Sequence, residues 1–224
     1  MRILLLGHGR MGALVESLAP SYGATIAAVI DERSGERAIA DGAFGDVDVA
    51  IDFTLADAVP KNLPQLAARR INVVIGTTGW QAHEPAMRAI ASDAGMGVLA
   101  ASNFSLGMNI FQLAVEEASR HFANHPEFGA WIHEAHHVMK KDAPSGTAVT
   151  IKAGMERAGF ARPIDVSSTR AGHVPGTHTV GFDGPSETIE LTHTVRDRAV
   201  FARGALVAAR WLVGKHGWFS LRDM

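Results

Sequence analysis

The chain has 224 residues, of which 47% are hydrophobic and 20% are charged, and this composition favours a folded core and excludes a disordered or fibrous protein. Lys and Arg number 21 against 23 Asp and Glu, which gives a formal net charge of -2 and leaves no positive field for a nucleic acid partner. Its apolar runs are too short for a membrane span, it shows no signal peptide and it has no cysteine, so we expect a cytoplasmic protein without a metal site that uses His, Lys and carboxylates.

Short apolar runs alternate with helix-like stretches over the first hundred residues. The predicted strands are Arg2–Leu6, Thr25–Ile30, Val47–Phe53, Ile71–Ile75 and Gly97–Ala100. The predicted helices are Arg10–Leu18, Ala56–Arg69 and His83–Ala94. The strands are rich in Val, Ile and Leu, as strands buried on both faces are. Because helices separate them, we predict an α/β fold with right-handed crossovers and a doubly wound parallel sheet.

A glycine motif lies between the first strand and the first helix. Gly7-His8-Gly9-Arg10-Met11-Gly12 fits the GxGxxG pattern of dinucleotide-binding proteins. The glycines allow a tight turn, a close approach of backbone to pyrophosphate, and close packing of helix on strand. Asp31, at the end of the second strand, is placed to accept hydrogen bonds from the adenine ribose. The alternative is a glycine turn that serves packing alone.

The residues after the second strand bear on the choice of nucleotide. Asp31 and Glu32 should repel a 2'-phosphate, which favours NADH, whereas Arg33 can pair with that phosphate and admit NADPH. We therefore expect NADH or NADPH as cofactor, with NADH preferred.

Two further loops follow predicted strands at the edge where open α/β sheets bind ligands. They are Gly76-Thr77-Thr78-Gly79 and Ala101-Ser102-Asn103-Phe104. One interpretation is that Gly76, Thr77 and Thr78, with the second loop, flank a nicotinamide. The other is that small polar residues simply form turns.

The pattern changes near Asn103. A predicted helix, Met108–His121, is followed by a predicted strand, Phe128–Ala135, and from Val166 onward polar and apolar residues alternate between Gly and Pro clusters. This indicates a half-exposed mixed sheet. A last amphipathic helix, Val200–Val213, returns to the composition of the first part.

The segment from His133 to Ala148 is rich in groups that transfer protons. It holds three histidines and two lysines within nine positions, followed by a Pro-Ser-Gly-Thr turn. Gly146 and Thr147 begin a predicted helix to Ala158, with Ser145 as its N-cap. The N–H groups at a helix start bind anions, and His and Lys exchange protons near neutral pH. We therefore expect a substrate that carries carboxylates and receives a proton.

The same letters contain a zinc-protease pattern. His133-Glu134-Ala135-His136-His137 satisfies HExxH, which requires the two outer histidines to lie on one face of a helix. The preceding Trp131-Ile132 is extended in character, and residues four apart in a strand are about 13 Å apart, too far to share one zinc ion. A metallohydrolase is therefore kept only as an alternative.

Several motifs together resemble the 4-hydroxy-tetrahydrodipicolinate reductase (dihydrodipicolinate reductase) family. The main one runs from Glu134-Ala135-His136-His137 through Lys140 to Asp142-Ala143-Pro144-Ser145-Gly146-Thr147-Ala148. Weaker matches include the Gly7–Gly12 turn, Asp52-Phe53-Thr54, both loops above, Gly176-Thr177-His178 and Leu191-Thr192-His193. The likeness covers nearly the whole chain, although this chain is shorter after Asp31 than many members.

The resemblance implies an enzyme that reduces 4-hydroxy-tetrahydrodipicolinate with NAD(P)H in diaminopimelate and lysine biosynthesis. It implies a Rossmann-like nucleotide domain, residues 1–104 plus 198–224, and an inserted α+β domain, residues 105–197, that binds a cyclic dicarboxylate and builds a homotetramer. By position, His136 and Lys140 match the family's proton-transferring residues, and His137, Gly146 and Thr147 match substrate contacts. The segments matching nucleotide contacts are Gly7–Gly12, Asp31, Gly76–Thr78 and Ala101–Phe104.

A non-enzymatic alternative is an NADH-sensing regulatory protein. Such a sensor usually carries a DNA-binding module, and the sequence shows neither a basic recognition helix nor a positive face.

Overall fold

A computed structural model of the chain describes residues 1–35 and 37–224. Contacts between residues divide the chain into two compact units. The first, here called the N-terminal unit, contains Met1–Ser105 and Ala199–Met224. The second, the inserted unit, contains Leu106–Arg198. None of the helices in the described ranges is long and apolar enough to cross a membrane.

Strands and helices follow one another as the hydrophobic pattern predicts. Within the described residues the strands, β1 to β10, are Arg2–Leu6, Thr25–Ile30, Val49–Asp52, Val73–Ile75, Gly97–Ala100, Gly129–His136, Ile164–Arg170, Thr177–Asp183, Thr188–Thr194 and Gly217–Phe219. The α-helices of the same ranges, α1 to α7, are Arg10–Leu18, Ala38–Asp41, Val59–Ala68, Glu84–Ala94, Leu106–Phe122, Gly146–Arg157 and Ala199–Leu212.

The N-terminal unit is built on a parallel sheet with the order β10-β5-β4-β3-β1-β2. Strands β1, β3, β4 and most of β5 are buried, which explains their Val, Ile and Leu content. In this sheet β2 lies on one side of β1, whereas β3, β4 and β5 follow one another on the other side of β1. The carboxyl ends of β1 and β3 therefore border the switch point at which such sheets bind ligands. The predicted α/β class with a Rossmann-like sheet is confirmed.

The inserted unit has a mixed sheet with the order β7-β6-β8-β9. Strand β6 runs parallel to β7 and antiparallel to β8, and β8 runs antiparallel to β9. Its core joins side chains of α5 and α6 to one face of the sheet, including Phe111, Ile151, Ile132 and Phe182. This α+β layer places the segment that follows β6 beside the start of α6.

The structure differs from the predicted elements at a few places. The predicted helix Ala56–Arg69 starts only at Val59, where Pro60 occupies the first turn and needs no hydrogen-bonded N–H. Strand β10 was not predicted, because three residues after a glycine carry too little periodicity to mark a strand. Its pairing with β5 completes the sheet.

Candidate functional site

The glycine turn connects β1 to α1 in the N-terminal unit. Gly9 is the N-cap residue of α1 and has no side chain to cap the helix start, so the first N–H groups can bind an anion. A Cβ on Gly12 would lie 2.1 Å from the Gly7 carbonyl oxygen, whereas a Cβ on Gly9 would meet nothing within 4 Å. Gly12 is thus required for packing, and Gly9 keeps the backbone open to a ligand. The turn has the features that a pyrophosphate requires.

A cleft of about 460 Å³ opens beside this turn. It is lined by residues from the ends of β1, β2 and β3 and from the start of α3, among them Gly7, His8, Asp31, Leu55 and Lys61. Leu55 is 76% exposed and puts an apolar side chain on the wall of this cleft, near the carboxylate of Asp31. A concave site that combines apolar and polar groups suits a nucleotide. Sequence reasoning did not identify Leu55 or Lys61.

Asp31 is already paired with Arg33. The Arg33 guanidinium donates to Asp31 Oδ2 from Nε at 3.2 Å and from Nη2 at 2.8 Å. The Arg33 backbone N–H and the Ser34 hydroxyl donate to Oδ1. The hydrogen bond from Arg33 holds the pKa of Asp31 below its usual value. The Arg33 side chain is 82% exposed and can therefore leave the carboxylate for a phosphate at little cost.

The two predicted nicotinamide loops follow β4 and β5. A buried carboxylate, Asp52, accepts hydrogen bonds from the hydroxyl groups of Thr54 at 2.6 Å and Thr77 at 3.0 Å. It therefore fixes the Gly76–Thr78 loop against the end of β3. Thr77 and Phe104 are buried.

The other predicted residues of these loops remain accessible to different degrees. Thr78 and Ser102 are exposed, and Gly76, Ala101 and Asn103 are half-buried. A separate cleft of about 390 Å³ is lined by Thr77, Ala101 and Ser102 together with residues of α4, β10 and the C-terminal turn.

Strand β6 sorts the residues of the HExxH pattern onto two faces. Glu134 and His136, two apart, lie on its buried face. His133 points to the other face and contacts the Ser167 hydroxyl at 2.9 Å through Nδ1. Because His133 to His136 is extended, the two outer histidines do not share a helix face, and the pattern does not form a zinc-protease site.

Glu134 binds His136 and Arg170. His136 Nδ1 is hydrogen-bonded to Glu134 Oε2. Arg170 donates to both carboxylate oxygens, at 3.0 Å from Nη1 and 2.7 Å from Nη2, and the Ser145 N–H donates at 3.2 Å. Burial raises the pKa of Glu134, but hydrogen bonds from Arg170, Ser168 and His136 outweigh it and lower the pKa to about 2. An ionised carboxylate only accepts hydrogen bonds, so His136 must donate from Nδ1 and its free ring nitrogen is Nε2.

A second buried histidine lies next to His136. The rings of His136 and His178 are 5.1 Å apart between centroids, edge to face. His178 Nε2 contacts the Ser145 hydroxyl at 3.1 Å, and that oxygen also caps α6 by accepting from the Ala148 N–H. Burial lowers the pKa of His178 to about 4, and it also lowers the pKa of His136 against the opposing hydrogen bond with Glu134. His178 is therefore neutral at physiological pH.

Lys140 and Asp142 form an ion pair at the start of α6. Lys140 Nζ donates to both carboxylate oxygens of Asp142, at 2.8 and 2.9 Å. The Gly146 N–H also points to Asp142 Oδ2, at 3.4 Å. The Asp142 carboxylate thus lies beside Lys140 and the start of α6, where the sequence analysis expected a carboxylate of the substrate. The hydrogen bond from Lys140 keeps the pKa of Asp142 below its usual value.

The inserted unit therefore brings together most of its predicted site residues. His137 is half-buried directly after β6, and Thr147 is half-buried at the second position of α6. Sequence reasoning missed Glu134, Arg170 and His178 as partners of His136. The two-residue spacing of Glu134 and His136 in a strand was a usable signal for Glu134, whereas nothing local marked Arg170.

Glu134, His136 and His178 also meet the geometric requirement for a metal site. In the part of the chain that the structure describes, these three offer ligand atoms within 4.8 Å of one another. However, both Glu134 oxygens already accept hydrogen bonds from the Arg170 guanidinium. A metal cation bound there would face a fixed positive charge and displace its ion pair, so the donor set does not fit a metal.

The chain matches known proteins along its whole length. The family model described as Dihydrodipicolinate reductase, N-terminus, matches residues 1–104, and the model for the C-terminus matches residues 107–224. The 4-hydroxy-tetrahydrodipicolinate reductase of Stenotrophomonas maltophilia is 39% identical over 239 residues, which cover 100% of this chain and 97% of that protein. The protein of the same name from Christiangramia forsetii is 34% identical over 235 residues, with the same coverage.

A solved structure shares the fold. A dipicolinate-bound dihydrodipicolinate reductase from Paenisporosarcina sp. superposes with a TM-score of 0.83 at 19% identity, over 98% of this chain and 97% of that chain. The resemblance noted in the sequence is confirmed by the family matches to both halves. This chain belongs to the dihydrodipicolinate reductase family.

Proposed function

We propose that this chain reduces 4-hydroxy-tetrahydrodipicolinate to tetrahydrodipicolinate with NADH or NADPH, in diaminopimelate and lysine biosynthesis. The N-terminal unit binds the nucleotide and the inserted unit binds the substrate. The observation that carries the proposal is the oriented His136, held by an ionised Glu134 and accompanied by Lys140. It occurs in a chain whose other unit has a dinucleotide turn.

The reaction consumes one hydride and one proton and releases water. The 4-hydroxyl and a proton from the neighbouring ring carbon leave as water, which gives a conjugated ring. A reduced nicotinamide, when bound, would supply a hydride to carbon 4 of that ring. The electron pair of the double bond then moves through the ring toward an enamine, which takes up one proton to complete the reaction. His136 delivers that proton from Nε2 after Nε2 has taken up a proton from solvent, because Nδ1 stays hydrogen-bonded to Glu134, whose negative charge stabilises the imidazolium. Lys140 carries a positive charge that stabilises the carboxylates and assists the proton transfer.

The start of α6 binds a substrate carboxylate. Lys140 and the N–H groups of Gly146 and Thr147 form an anion site, and His137 borders it. When substrate enters, its carboxylate replaces that of Asp142. This exchange conserves the ion pair with Lys140, so little electrostatic energy is lost.

In this proposal the cleft beside the glycine turn accepts both nucleotides. Asp31 would accept hydrogen bonds from the ribose hydroxyls of NADH once its bonds with Arg33 are broken. With NADPH, Arg33 would instead pair with the 2'-phosphate. Asp31 and Glu32 repel that phosphate, so we expect NADH to be preferred.

The enzyme is a cytoplasmic homotetramer in this proposal. One face of the inserted unit's sheet packs on helices, whereas the residues paired across the opposite face are partly or fully exposed. These residues are His133, Ala135, Ser167, Thr169, Thr177 and Thr179. In this proposal a second copy covers part of that face, and light scattering on the purified protein tests the tetramer.

The test of the function is the loss of absorbance at 340 nm when freshly generated substrate is added with NADH or NADPH. We expect His136→Gln and Lys140→Ala each to lower kcat by about 10² or more and to leave nucleotide affinity little changed. Two exposed neighbours in the same unit give matched controls, His125→Gln and Lys141→Ala, which should keep wild-type kcat.

Three outcomes would refute the proposal. Normal turnover by both His136→Gln and Lys140→Ala would show that the acid is wrongly assigned. Hydrolytic activity that a chelator abolishes would favour the metallohydrolase. Nucleotide binding without turnover of the substrate would favour the sensor.

A further inference from the structure

Arg170 lies at the end of β7, directly across the sheet from His136 in the parallel pairing of β6 and β7. It is mostly buried, with 18% of its side chain exposed. Its five N–H donors all have acceptors. Apart from the two bonds to Glu134, Nε donates to the Lys140 carbonyl at 3.2 Å, Nη2 to the Asp142 carbonyl at 2.5 Å and Nη1 to the Thr169 carbonyl at 2.8 Å.

We propose that Arg170 is a positioning residue that orients both proton-transferring groups, His136 through Glu134 and Lys140 through the backbone of its loop. This inference rests on the proposed function and names a residue that acts on that same site. Arg170 itself does not touch the substrate. The Arg170 guanidinium, at the end of β7, hydrogen-bonds both Glu134 on β6 and the loop that follows β6.

The hydrogen bonds from Arg170 to Glu134 set the tautomer of His136. Arg170 keeps Glu134 ionised, and the carboxylate then requires a proton on His136 Nδ1. Nε2 becomes the nitrogen that exchanges a proton with a ligand. It lies beside Gly176, where a Cβ would come within 3.1 Å of it. Without the guanidinium, Glu134 would be a buried charge with fewer donors, and the ring could rotate or change tautomer.

The hydrogen bonds from Arg170 to two backbone carbonyls fix the path of the chain around Lys140. The Lys140 and Asp142 carbonyls both accept from Arg170, on either side of the residue that separates them. The loop is exposed at Lys141 and Asp142, so it has few packing contacts of its own. Loss of these two bonds would free the Lys140 side chain to leave the position that it shares with the start of α6.

A lysine cannot replace this arginine. The planar guanidinium presents its donors in a fixed fork that spans both carboxylate oxygens and still reaches the carbonyls at its other edge. An ammonium has three donors at one point. Arg170→Lys therefore preserves the charge and removes the geometry.

The experiment compares Arg170→Lys with Arg162→Lys. Arg162 also belongs to the inserted unit and donates to the Phe128 and Phe122 carbonyls, at 2.8 and 2.7 Å, so its loss destabilises the same unit without touching Glu134. In protein labelled only in histidine, the ¹³Cδ2 resonance of His136 reports which ring nitrogen is protonated, and His136→Gln assigns it. The pH profile of kcat is measured in parallel. The charged and titratable groups that act on His136 are Glu134, Lys140, Arg170 and His178, and they contribute to this profile.

We expect the wild type to carry the neutral His136 proton on Nδ1, and Arg170→Lys to mix in the Nε2–H form. Arg170→Lys should lower kcat about tenfold to a hundredfold and shift the pH profile, whereas Arg162→Lys keeps the wild-type tautomer and pH profile. A wild-type tautomer or a wild-type kcat in folded Arg170→Lys overturns the inference.

The wild-type resonance also tests the inference without any variant. If neutral His136 carries its proton on Nε2 in the wild type, the inference is wrong even where Arg170→Lys does not fold. The proposed function fails separately, when the wild type does not reduce the substrate while His136 shows the expected tautomer.

Discussion

Replacing Glu134 with glutamine should destabilise the inserted unit by about 3 kcal/mol at pH 7. Glutamine keeps the size of the side chain but leaves the mostly buried Arg170 guanidinium without its counter-charge. The pKa of Glu134 falls from 4.5 to about 2 on folding, and a fall of this size corresponds to about 3 kcal/mol favouring the ionised form. Removal of one partner from a buried ion pair costs about 3–5 kcal/mol in general, which gives a similar value by a separate route.

The pH dependence of this loss has a definite sign. Because the folded pKa lies below the unfolded one, the stabilisation is fully present above about pH 4.5 and disappears as the pH falls toward 2. The wild type should therefore lose about 1.4 kcal/mol of its advantage over Glu134→Gln between pH 7 and pH 3.5. A variant without the carboxyl group has no such titration at this position.

Hydrogen exchange of the β6 amides measures this effect locally, so it does not require the two units to unfold together. The matched control is Glu117→Gln on α5, whose carboxylate is 57% exposed and pairs with Arg120 and His121. We expect it to cost less than about 1 kcal/mol. Equal losses from the two variants, or a difference that does not change with pH, would refute the reasoning.

Three further predictions concern ligands and activity. Catalytic efficiency with NADH should exceed that with NADPH, and Arg33→Ala should weaken NADPH more than NADH in a fluorescence titration; an efficiency with NADPH more than about tenfold above NADH would contradict the dual use. Asp142→Asn should bind dipicolinate about threefold more tightly by calorimetry, because it removes the carboxylate that pairs with Lys140. Unchanged or weaker binding would contradict the proposed replacement of the Asp142 carboxylate by that of the substrate. Gly176→Ala should lower kcat/KM at least about tenfold and lower Tm, because φ is +150° and the new Cβ would lie 3.1 Å from His136 Nε2; wild-type activity would show that this side of the ring is not used.

The sequence by itself determined the architecture of the N-terminal unit and the family. Strands buried on both faces must be continuously apolar, so Arg2–Leu6 and Gly97–Ala100 were predicted with the bounds that the structure has. The GxGxxG turn is equally recognisable from the sequence because its six residues are contiguous, and Gly12 packs against the Gly7 carbonyl within the motif itself. The segment from Glu134 to Ala148 identified the family because its chemistry lies within one short stretch of chain.

Only the tertiary structure decided how that segment is organised. Glu134 and Arg170 are 36 residues apart, and His178 lies on a third strand. They meet through the register of β6 with β7 and β8, which no local spacing reveals. The structure also shows that the side chains of Thr77 and Phe104 are buried, which the loop sequences did not predict. Periodicity along a chain specifies which face of a strand a residue occupies, whereas strand pairing and packing specify what that face meets.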